Sequence, residues 1–316
     1  MARRPRQHLD DTDRELCAAL VEEPRASVRH LAARVGVTNE TVTARLRRLR
    51  DLNVIATTVV VDAESAGYSA GAVVRIKAPK KSIDRLKMRF ADSPDAQFVA
   101  AAVGACDLVV ALLGVDLAGI RRTLRETLRD VENVQVLAVD VVSGTLAYDV
   151  NTLTLPIEPW SPDMLPAPRP SLDDLDRALL GELATAGHES NREIARRLNV
   201  SDATVRARVR RLEEGGLIRL VTGVDPVASG ERQLFGMAFL ALDDDAVMKE
   251  SIEAHPHVSI VKTLGTADLV LQFGGRSVHE LTNFVTGLAD LDGVREVAIA
   301  YLTDVVAHQN HLARFT

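Results

Sequence analysis

Two stretches rich in arginine carry the side chains best suited to bind an anionic partner. Residues 25–50 contain seven arginines and one acidic residue, and residues 190–212 contain seven arginines and two acidic residues. Neither stretch contains a lysine. A guanidinium group can form two parallel hydrogen bonds with a phosphate or with the O6 and N7 atoms of guanine. The two stretches therefore predict two surfaces that bind double-stranded DNA.

The placement of charge supports this prediction although the chain as a whole is acidic. With 38 basic and 44 acidic side chains the net charge is −6, but the two stretches carry +6 and +5, so the remaining residues carry −17. Local positive charge attracts nucleic acid even on an acidic protein. The alternative is an ordinary solvated helix face, on which arginines pair with acidic residues one turn away.

The chain contains an internal repeat. Residues 9–55 align without a gap with residues 172–218, and 20 of these 47 positions are identical, including the motif LDD-x-DR. The motif G-x-x-D recurs later in each copy. This period is far too long for a solenoid, so the 316 residues are interpreted as two copies of a two-domain unit. Residues 156–170 hold six of the twelve prolines and predict a stiff, extended linker between the copies.

The first third of each copy predicts three helices. The second helix follows a capping serine, Ser27 or Ser190, and the third follows Thr38 or Ser201. Ser190 and Glu193 have the spacing of a capping box. Two helices joined by so tight a turn are typical of a helix-turn-helix.

The outward face of the third helix supplies most of the predicted DNA contacts. Apolar residues repeat along this helix at the spacing of one buried face, which leaves the opposite face free. Arg47 and Arg210 lie on that free face and are predicted to reach base edges, whereas flanking residues are predicted to contact phosphates. The predicted DNA-binding residues are Ser27, Thr38, Glu40, Thr41, Thr43, Ala44, Arg47, Arg48, Ser190, Ser201, Ala203, Thr204, Arg206, Arg210 and Arg211.

The outward faces of the two copies differ. Glu40 corresponds to Ala203, and Thr43 corresponds to Arg206. These changes alter the chemistry that each helix presents to a DNA groove. We therefore expect a single chain to prefer an asymmetric site over a perfect palindrome.

The rest of each copy predicts the order strand, helix, strand, strand, helix, strand. This order is typical of the ferredoxin-like fold, an antiparallel sheet with helices on one face, and a second copy of the sheet is expected to cover the other face. The strand Thr57–Val61 is a candidate wing or hinge. The predicted class is α+β, with two winged or helix-turn-helix domains and two ferredoxin-like (βαββαβ) domains in tandem. The predicted domains are residues 1–56, 57–150, 172–219 and 220–316, with a linker at 151–171.

These motifs resemble a known family. LDD-x-DR together with LAARVGVTNETVTARLRRL in the first copy, and with IARRLNVSDATVRARVRRLEEGGLI in the second, is similar to the helix-turn-helix of the Lrp/AsnC (feast/famine) regulators. The βαββαβ unit with G-x-x-D resembles their ligand-sensing RAM domain. The resemblance implies a DNA-binding transcriptional regulator whose two fused sensor units form a pseudo-dimer, and whose chains associate further into homo-oligomers.

The resemblance also implies a small-molecule effector, an amino acid, bound at the G-x-x-D loops. The effector-binding residues carried over are Gly104, Cys106, Asp107, Gly265, Ala267 and Asp268. Glycine lets the backbone approach a ligand closely, and a carboxylate can pair with an α-amino group. Family members often have an aromatic residue before the aspartate, where this chain has Cys106 and Ala267. The alternative is that both aspartates cap backbone amides.

Enzymatic, cofactor and metal functions are not expected. The chain has no motif for nucleotide binding, nucleophilic catalysis or zinc-dependent hydrolysis. Close histidine pairs occur only at His255 and His257 and at His308 and His311, without further ligands nearby. The sequence therefore predicts no catalytic residues, no cofactor and no metal.

Two other functions fit the same architecture. Siroheme decarboxylases resemble it, but residues 99–104 and 260–265 lack the histidine of those enzymes, and the strands that follow lack their tryptophan. A sequence-tolerant DNA-organising protein would use the same arginine-rich helices without sharp specificity. These two alternatives stay open beside the regulator.

Cysteine usage and hydropathy bear on location. The two cysteines cannot build a disulfide framework, and no secretory segment follows the first residue, so a cytoplasmic protein is expected. Residues 98–115 carry almost no charge but include Asp107, and they are interpreted as two buried strands rather than a membrane span.

Overall fold

The computed structural model describes residues 8–147, 172–231, 234–243, 259–308 and 312–313. The proposed linker at 156–170 lies outside these residues, as does the segment 246–254, for which the βαββαβ order predicts the first helix of the second unit. The elements of the first copy are α1 (Asp11–Glu22), α2 (Val28–Val35), α3 (Asn39–Asp51), β1 (Ile55–Asp62), α4 (Ala63–Ala66), β2 (Ala70–Lys77), α5 (Lys80–Ala91), β3 (Ala96–Gly104), β4 (Leu108–Gly114), α6 (Leu117–Leu128) and β5 (Gln135–Ala147).

The second copy repeats this order. Its elements are α7 (Asp174–Ala186), α8 (Asn191–Leu198), α9 (Asp202–Glu214), β6 (Ile218–Val224), β7 (Leu234–Leu242), β8 (Ser259–Leu264), β9 (Leu269–Gly275), α10 (Val278–Ala289), β10 (Val294–His308) and β11 (Leu312–Ala313). Among the described residues, none of the helices could span a membrane.

Capping residues start the helices of the two heads, α1–α3 and α7–α9, where the sequence predicts. An oxygen of each cap accepts the backbone N–H three residues on, which satisfies a donor that the first turn leaves free. The confirmed caps are Ser27, Thr38, Ser190 and Ser201. α2 ends at Gly36 and α8 at Asn199, both in the left-handed conformation.

The reciprocal capping boxes lie elsewhere than predicted. At Ser190 the hydroxyl donates to the Glu193 carboxylate, 3.2 Å, while accepting the Glu193 N–H. Complete capping boxes start α1 and α7. In each box the side chain of the first aspartate of LDD-x-DR accepts the backbone N–H of the aspartate three residues on, and the side chain of that second aspartate accepts the backbone N–H of the first. The repeated LDD-x-DR motif therefore starts the first helix of each head.

The two sensor sheets close on each other. The first sheet has the order β3-β4-β2-β5 and the second the order β8-β9-β7-β10, and antiparallel pairs β5–β8 and β10–β3 join them into a closed barrel of eight strands. The expectation that one sheet covers the other is confirmed. Apolar residues fill the space between the sheets: Val73, Phe98, Ala100, Ala102, Cys106, Val109, Met237, Phe239, Ala267, Val270 and Ala300.

The closure lengthens the last strand of each βαββαβ unit. β5 pairs with β2 through Val141 and continues along β8 to Ala147, and β10 pairs with β7 as far as Leu302 and with β3 as far as His308. Each strand thus belongs to its own sheet first and to the other sheet afterwards. Helices α5, α6 and α10 cover the outer faces.

A three-stranded sheet of the order β11-β1-β6 joins the heads, and we call its antiparallel pair β1–β6 the ribbon. β1 and β6 pair antiparallel from Ile55 opposite Val224 to Val61 opposite Ile218. Val59 and Val61 pack into the core of the second head, whereas Val224 and Ala228 pack into the core of the first. The strand predicted as a wing or hinge is therefore a crossover, and each head is completed by residues of the other copy.

Candidate nucleic-acid interface

The third helix of each head exposes the predicted face. Val42, Leu46 and Leu49 of α3 are buried, as are the corresponding residues of α9. The opposite face is exposed, with Arg47 84% accessible and Arg210 also exposed. The exposed residues of these two faces are Glu40, Thr43, Ala44, Arg47, Ala203, Arg206, Ala207 and Arg210.

The predicted hydroxyl residues gather at the starts of the second and third helices. The Thr38 and Thr41 hydroxyl oxygens lie 3.1 Å apart, and those of Ser201 and Thr204 lie 2.7 Å apart. Ser27 and Ser190 cap α2 and α8. Helix N-termini present N–H groups and a partial positive charge, which suit a phosphate. The structure thus gathers these residues at the helix starts that flank each outward face.

Not every predicted arginine is free to meet DNA. Arg48 binds the carboxylate of Asp13, which is 1% exposed and also accepts a hydrogen bond from Arg45 Nη1, 2.8 Å. Arg45 Nη1 also reaches both oxygens of Asp10, at 2.8 and 2.7 Å, and this pairing lowers the pKa of the Asp10 carboxyl. Arg48 nevertheless keeps 45% of its side chain exposed.

The second head repeats this arrangement. Asp176, 1% exposed, accepts from Arg208 Nη1 at 2.7 Å and from Arg211 Nη2 at 2.6 Å. Arg208 also binds Asp173 and lowers the pKa of its carboxyl. The arginines could be recognised in the sequence, but their carboxylate partners were not predicted, although LDD-x-DR repeats at both places.

These contacts lower the positive charge that the two arginine-rich stretches present to a partner. The arginine-rich stretches begin after the first helix of each head, so their +6 and +5 omit the carboxylates that fold back onto them. Pairing one turn away also occurs, because Arg206 binds Asp202 and Arg47 Nε lies 3.9 Å from Asp51. The alternative of a solvated helix face therefore applies to Arg206, which pairs one turn away and stays exposed. Arg47 makes only a long contact with Asp51.

The G-x-x-D aspartates cap backbone amides. Asp107 Oδ2 accepts the Ala78 N–H at 3.0 Å, and Asp268 Oδ2 accepts the Leu242 N–H at 2.7 Å. The capping alternative thus accounts for one oxygen of each carboxylate. That these residues bind an effector stays a prediction.

The remaining residues of these loops face the barrel. Cys106 and Ala267 are buried between the sheets, and burial raises the pKa of the Cys106 thiol to about 11. Gly104 has φ +117°, and a Cβ there would lie 2.4 Å from the Ile299 carbonyl oxygen of the other sheet. A Cβ at Gly265 would lie 2.4 Å from Asp140 Oδ1. Both glycines therefore allow the loop of one copy to touch a strand of the other.

A buried charged cluster lies at the second of these contacts. Asp140 is fully buried and accepts from the Thr266 N–H at 2.7 Å, the Ala267 N–H at 3.1 Å and Arg75 Nη2 at 3.1 Å. The Arg75 guanidinium stacks 4.2 Å from the centre of the Phe239 ring. This cluster was not predicted from the sequence, although single charges inside the apolar runs AGAVVRI and VLAVDVV were its signal.

The equivalent place in the other half carries no charge. The Asp107 N–H donates to the Ile76 carbonyl and the Asp268 N–H to the Leu240 carbonyl, so Arg75 and Phe239 occupy equivalent positions. By the same strand pairing, Asp140 corresponds to Ala300. The two halves of the chain therefore differ in the interior of the barrel as well as on the exposed faces of α3 and α9.

Among the described residues no three histidine, cysteine or acidic side chains gather as metal ligands would. Of the close histidine pairs, His308 is buried at the end of β10, and His255, His257 and His311 lie outside the described residues.

Comparison with known proteins matches the two heads separately. The AsnC-type helix-turn-helix domain matches residues 9–50, and a winged helix-turn-helix DNA-binding domain matches residues 172–219. An uncharacterized HTH-type transcriptional regulator of Pyrococcus abyssi is 36% identical over 141 residues, which cover 87% of that protein and 42% of this chain. The HTH-type transcriptional regulator FL11 of Pyrococcus horikoshii is 27% identical over 129 residues, covering 85% of that protein and 40% of this chain.

Solved structures of a siroheme decarboxylase match nearly the whole chain. The siroheme decarboxylase NirDL has a TM-score of 0.65 and covers 95% of this chain and 93% of its own, with 14% sequence identity. At that identity the likeness shows a shared fold. The sequence relatives are regulators that match less than half of this chain, as a duplicated chain requires. The chain belongs to the Lrp/AsnC family of DNA-binding transcriptional regulators.

Proposed function

We propose that one chain reads a two-part DNA operator with α3 and α9 together. The observation that carries this proposal is the pair of equivalent exposed faces on heads whose cores share the β1–β6 ribbon. A contact between the heads adds to the ribbon, since Arg25 Nη1 donates to Asn191 Oδ1 at 2.7 Å. A ribbon shared by both cores holds the two helices at a set spacing, as two half-sites on one duplex require.

Within each head, Arg47 and Arg210 are the residues that read base edges. They are exposed at the middle of their faces, and Ala44 and Ala207 beside them let the helix lie close to the bases. Ser27, Thr38 and Thr41, with their counterparts Ser190, Ser201 and Thr204, orient phosphates at helix starts. Because Glu40 and Thr43 face the groove on one helix and Ala203 and Arg206 on the other, the operator is asymmetric.

The sensor barrel is the place for an amino-acid effector. Its G-x-x-D loops bridge the two sheets, with the Ala105 N–H on the Ile299 carbonyl at 2.8 Å and Thr266 on Asp140. A ligand at either loop would change how the sheets meet. We expect one amino acid to raise the unfolding midpoint of the full chain, since a ligand at a hundred times its Kd adds about 2.7 kcal/mol of stability.

The whole-chain likeness to a siroheme decarboxylase makes that enzyme the second candidate. Two observations support the regulator instead. The space between the sheets is packed with apolar side chains, and residues 99–104 and 260–265 contain no histidine. Incubation of the full chain with siroheme separates the two candidates, because the regulator leaves the tetrapyrrole carboxylates intact.

The DNA-binding proposal is tested by the double variant Arg47→Ala/Arg210→Ala. Each lost bidentate base contact should cost about 1–3 kcal/mol of specific binding, while binding to unrelated duplex changes little. Fluorescence anisotropy with the selected operator and a scrambled duplex measures both. The matched control is Arg29→Ala/Arg192→Ala, which removes two equivalent exposed arginines from α2 and α8. Operator binding at the wild-type level by the Arg47/Arg210 variant would contradict the proposal.

A further inference from the structure

The buried aspartate of each head is placed between the helix start and the recognition helix. Asp13 is the third residue of α1 and closes its capping box, and both of its oxygens are taken by arginines of α3. Arg45 and Arg48 are three residues apart, so they approach Asp13 from successive turns of one helix side. We call this set the first clamp, and Asp176 with Arg208 and Arg211 the second clamp.

The clamps fix the rotation of the recognition helices. A turn of α3 by one residue would move both arginines about 100° around the helix axis and would leave a buried carboxylate unpaired. The second clamp has the same geometry, with 2.7 and 2.6 Å contacts, although the copies share only 20 of 47 residues in this region. Each clamp therefore holds its helix, α3 or α9, at the rotation about the helix axis that turns Arg47 or Arg210 outward.

The clamps also restrain two cations at the edge of the interface. The side chains of Arg48 and Arg211 are 45% and 53% exposed, so a phosphate can approach either guanidinium. Each is held by a buried carboxylate, whose charge offsets part of its attraction for phosphate and fixes its direction. A freed arginine would contact any phosphate in reach, whatever the base sequence.

We propose that Asp13 and Asp176 are positioning residues for DNA sequence discrimination, because they orient the recognition helices and keep Arg48 and Arg211 from indiscriminate phosphate contact. This inference rests on the proposed function, in which α3 and α9 face the DNA. It differs from a merely structural role, which would lower operator binding and non-specific binding together.

The test is the full chain with Asp13→Asn/Asp176→Asn, titrated with the selected operator and with a scrambled duplex over a salt series. The ratio of the two affinities should fall roughly tenfold or more, the size of a lost base contact. Affinity for the scrambled duplex should rise, and its log–log salt slope should steepen by about two, since each freed arginine engages about one phosphate. An unchanged affinity ratio would overturn the inference.

Two further measurements keep the test decisive. Asp11→Asn/Asp174→Asn removes the same charge from the neighbouring, exposed residues of α1 and α7 and should leave the ratio unchanged. In an Arg48→Met/Arg211→Met background the aspartate substitutions should no longer raise scrambled-duplex affinity, and a persisting rise would overturn the inference.

If Asp13→Asn/Asp176→Asn does not fold, Asp176→Asn alone should steepen the log–log salt slope of scrambled-duplex binding by about one. Absence of any operator preference in the wild type would instead refute the proposed function.

Discussion

The arginines of the two heads divide into groups according to what their guanidinium groups touch. Arg45 and Arg208 are held by two carboxylates each, and Arg25 crosses to the other head. Arg47 and Arg210 stay exposed on the outward faces. Counting arginines in the sequence gives all of them the same weight, whereas their partners separate the arginines that are held by the fold from those that stay exposed.

The two cysteines give a prediction at the same scale. Cys17 is buried in the first head and Cys106 in the barrel, and burial raises the thiol pKa to about 12 and about 11. Because the thiolate is the reactive form, both should resist alkylation in the folded chain and react fully in denaturant. Counting free thiols with a chromogenic disulfide before and after unfolding measures this. Rapid native labelling that Cys106→Ala abolishes would show an accessible, redox-competent Cys106 instead.

At the scale of the elements, long-range pairing decides what each segment becomes. β1 has the composition of an ordinary strand, yet its partner β6 lies more than 150 residues away and its side chains complete the other head. Burial of Val59 and Val61 there contributes about 1.5–3 kcal/mol each. Neither the crossover nor the extension of β5 and β10 can be seen in local sequence, because both depend on where the second copy lies.

The helices show the opposite case. Caps at Ser27, Thr38, Ser190 and Ser201 satisfy backbone donors a few residues away, so the starts of α2, α3, α8 and α9 could be predicted from sequence. The outward faces followed from helical periodicity alone. The clamps could not be predicted, because Asp13 and Arg48 meet only after α1 and α3 pack. The buried charges of Arg75 and Asp140 were visible as single charges inside apolar runs, but their pairing depends on how the two strands align.

That pair gives a prediction about the joining of the sheets. Asp140→Ala should leave the buried Arg75 guanidinium without a carboxylate and lower the free energy of unfolding by about 3–5 kcal/mol. Arg75→Met/Asp140→Ala removes both charges and should recover part of that loss. Urea unfolding of the full chain compares the two variants. A double variant less stable than the single one would contradict the assignment of Arg75 and Asp140 as a compensated pair.

At the scale of the whole molecule, the two halves differ at positions where two identical chains could not. In a dimer of identical chains Arg75 would face a second arginine, whereas here it faces Phe239, and Asp140 has Ala300 as its counterpart. The recognition helices differ in the same way at Glu40 and Thr43. One chain thus carries two heads that are alike in fold and unlike in surface.

This asymmetry predicts the effect of making the heads alike. Asn39→Asp/Glu40→Ala/Thr43→Arg gives α3 the outward residues of α9, including the pairing that Arg206 makes with Asp202. The operator selected by this variant should become a palindrome of the half-site that the second head reads. The reverse exchange on α9 is the control and should give a palindrome of the other half-site. Unchanged operators from both variants would show that these positions do not face bases.

The central claim is that one chain reads two unlike half-sites through α3 and α9, and selection of random duplex DNA by the intact wild-type chain tests it most directly. The structure predicts enrichment of two different sequence blocks at one constant spacing, since the ribbon fixes the distance between the heads. Two identical inverted blocks, or no enriched sequence at all, would contradict it.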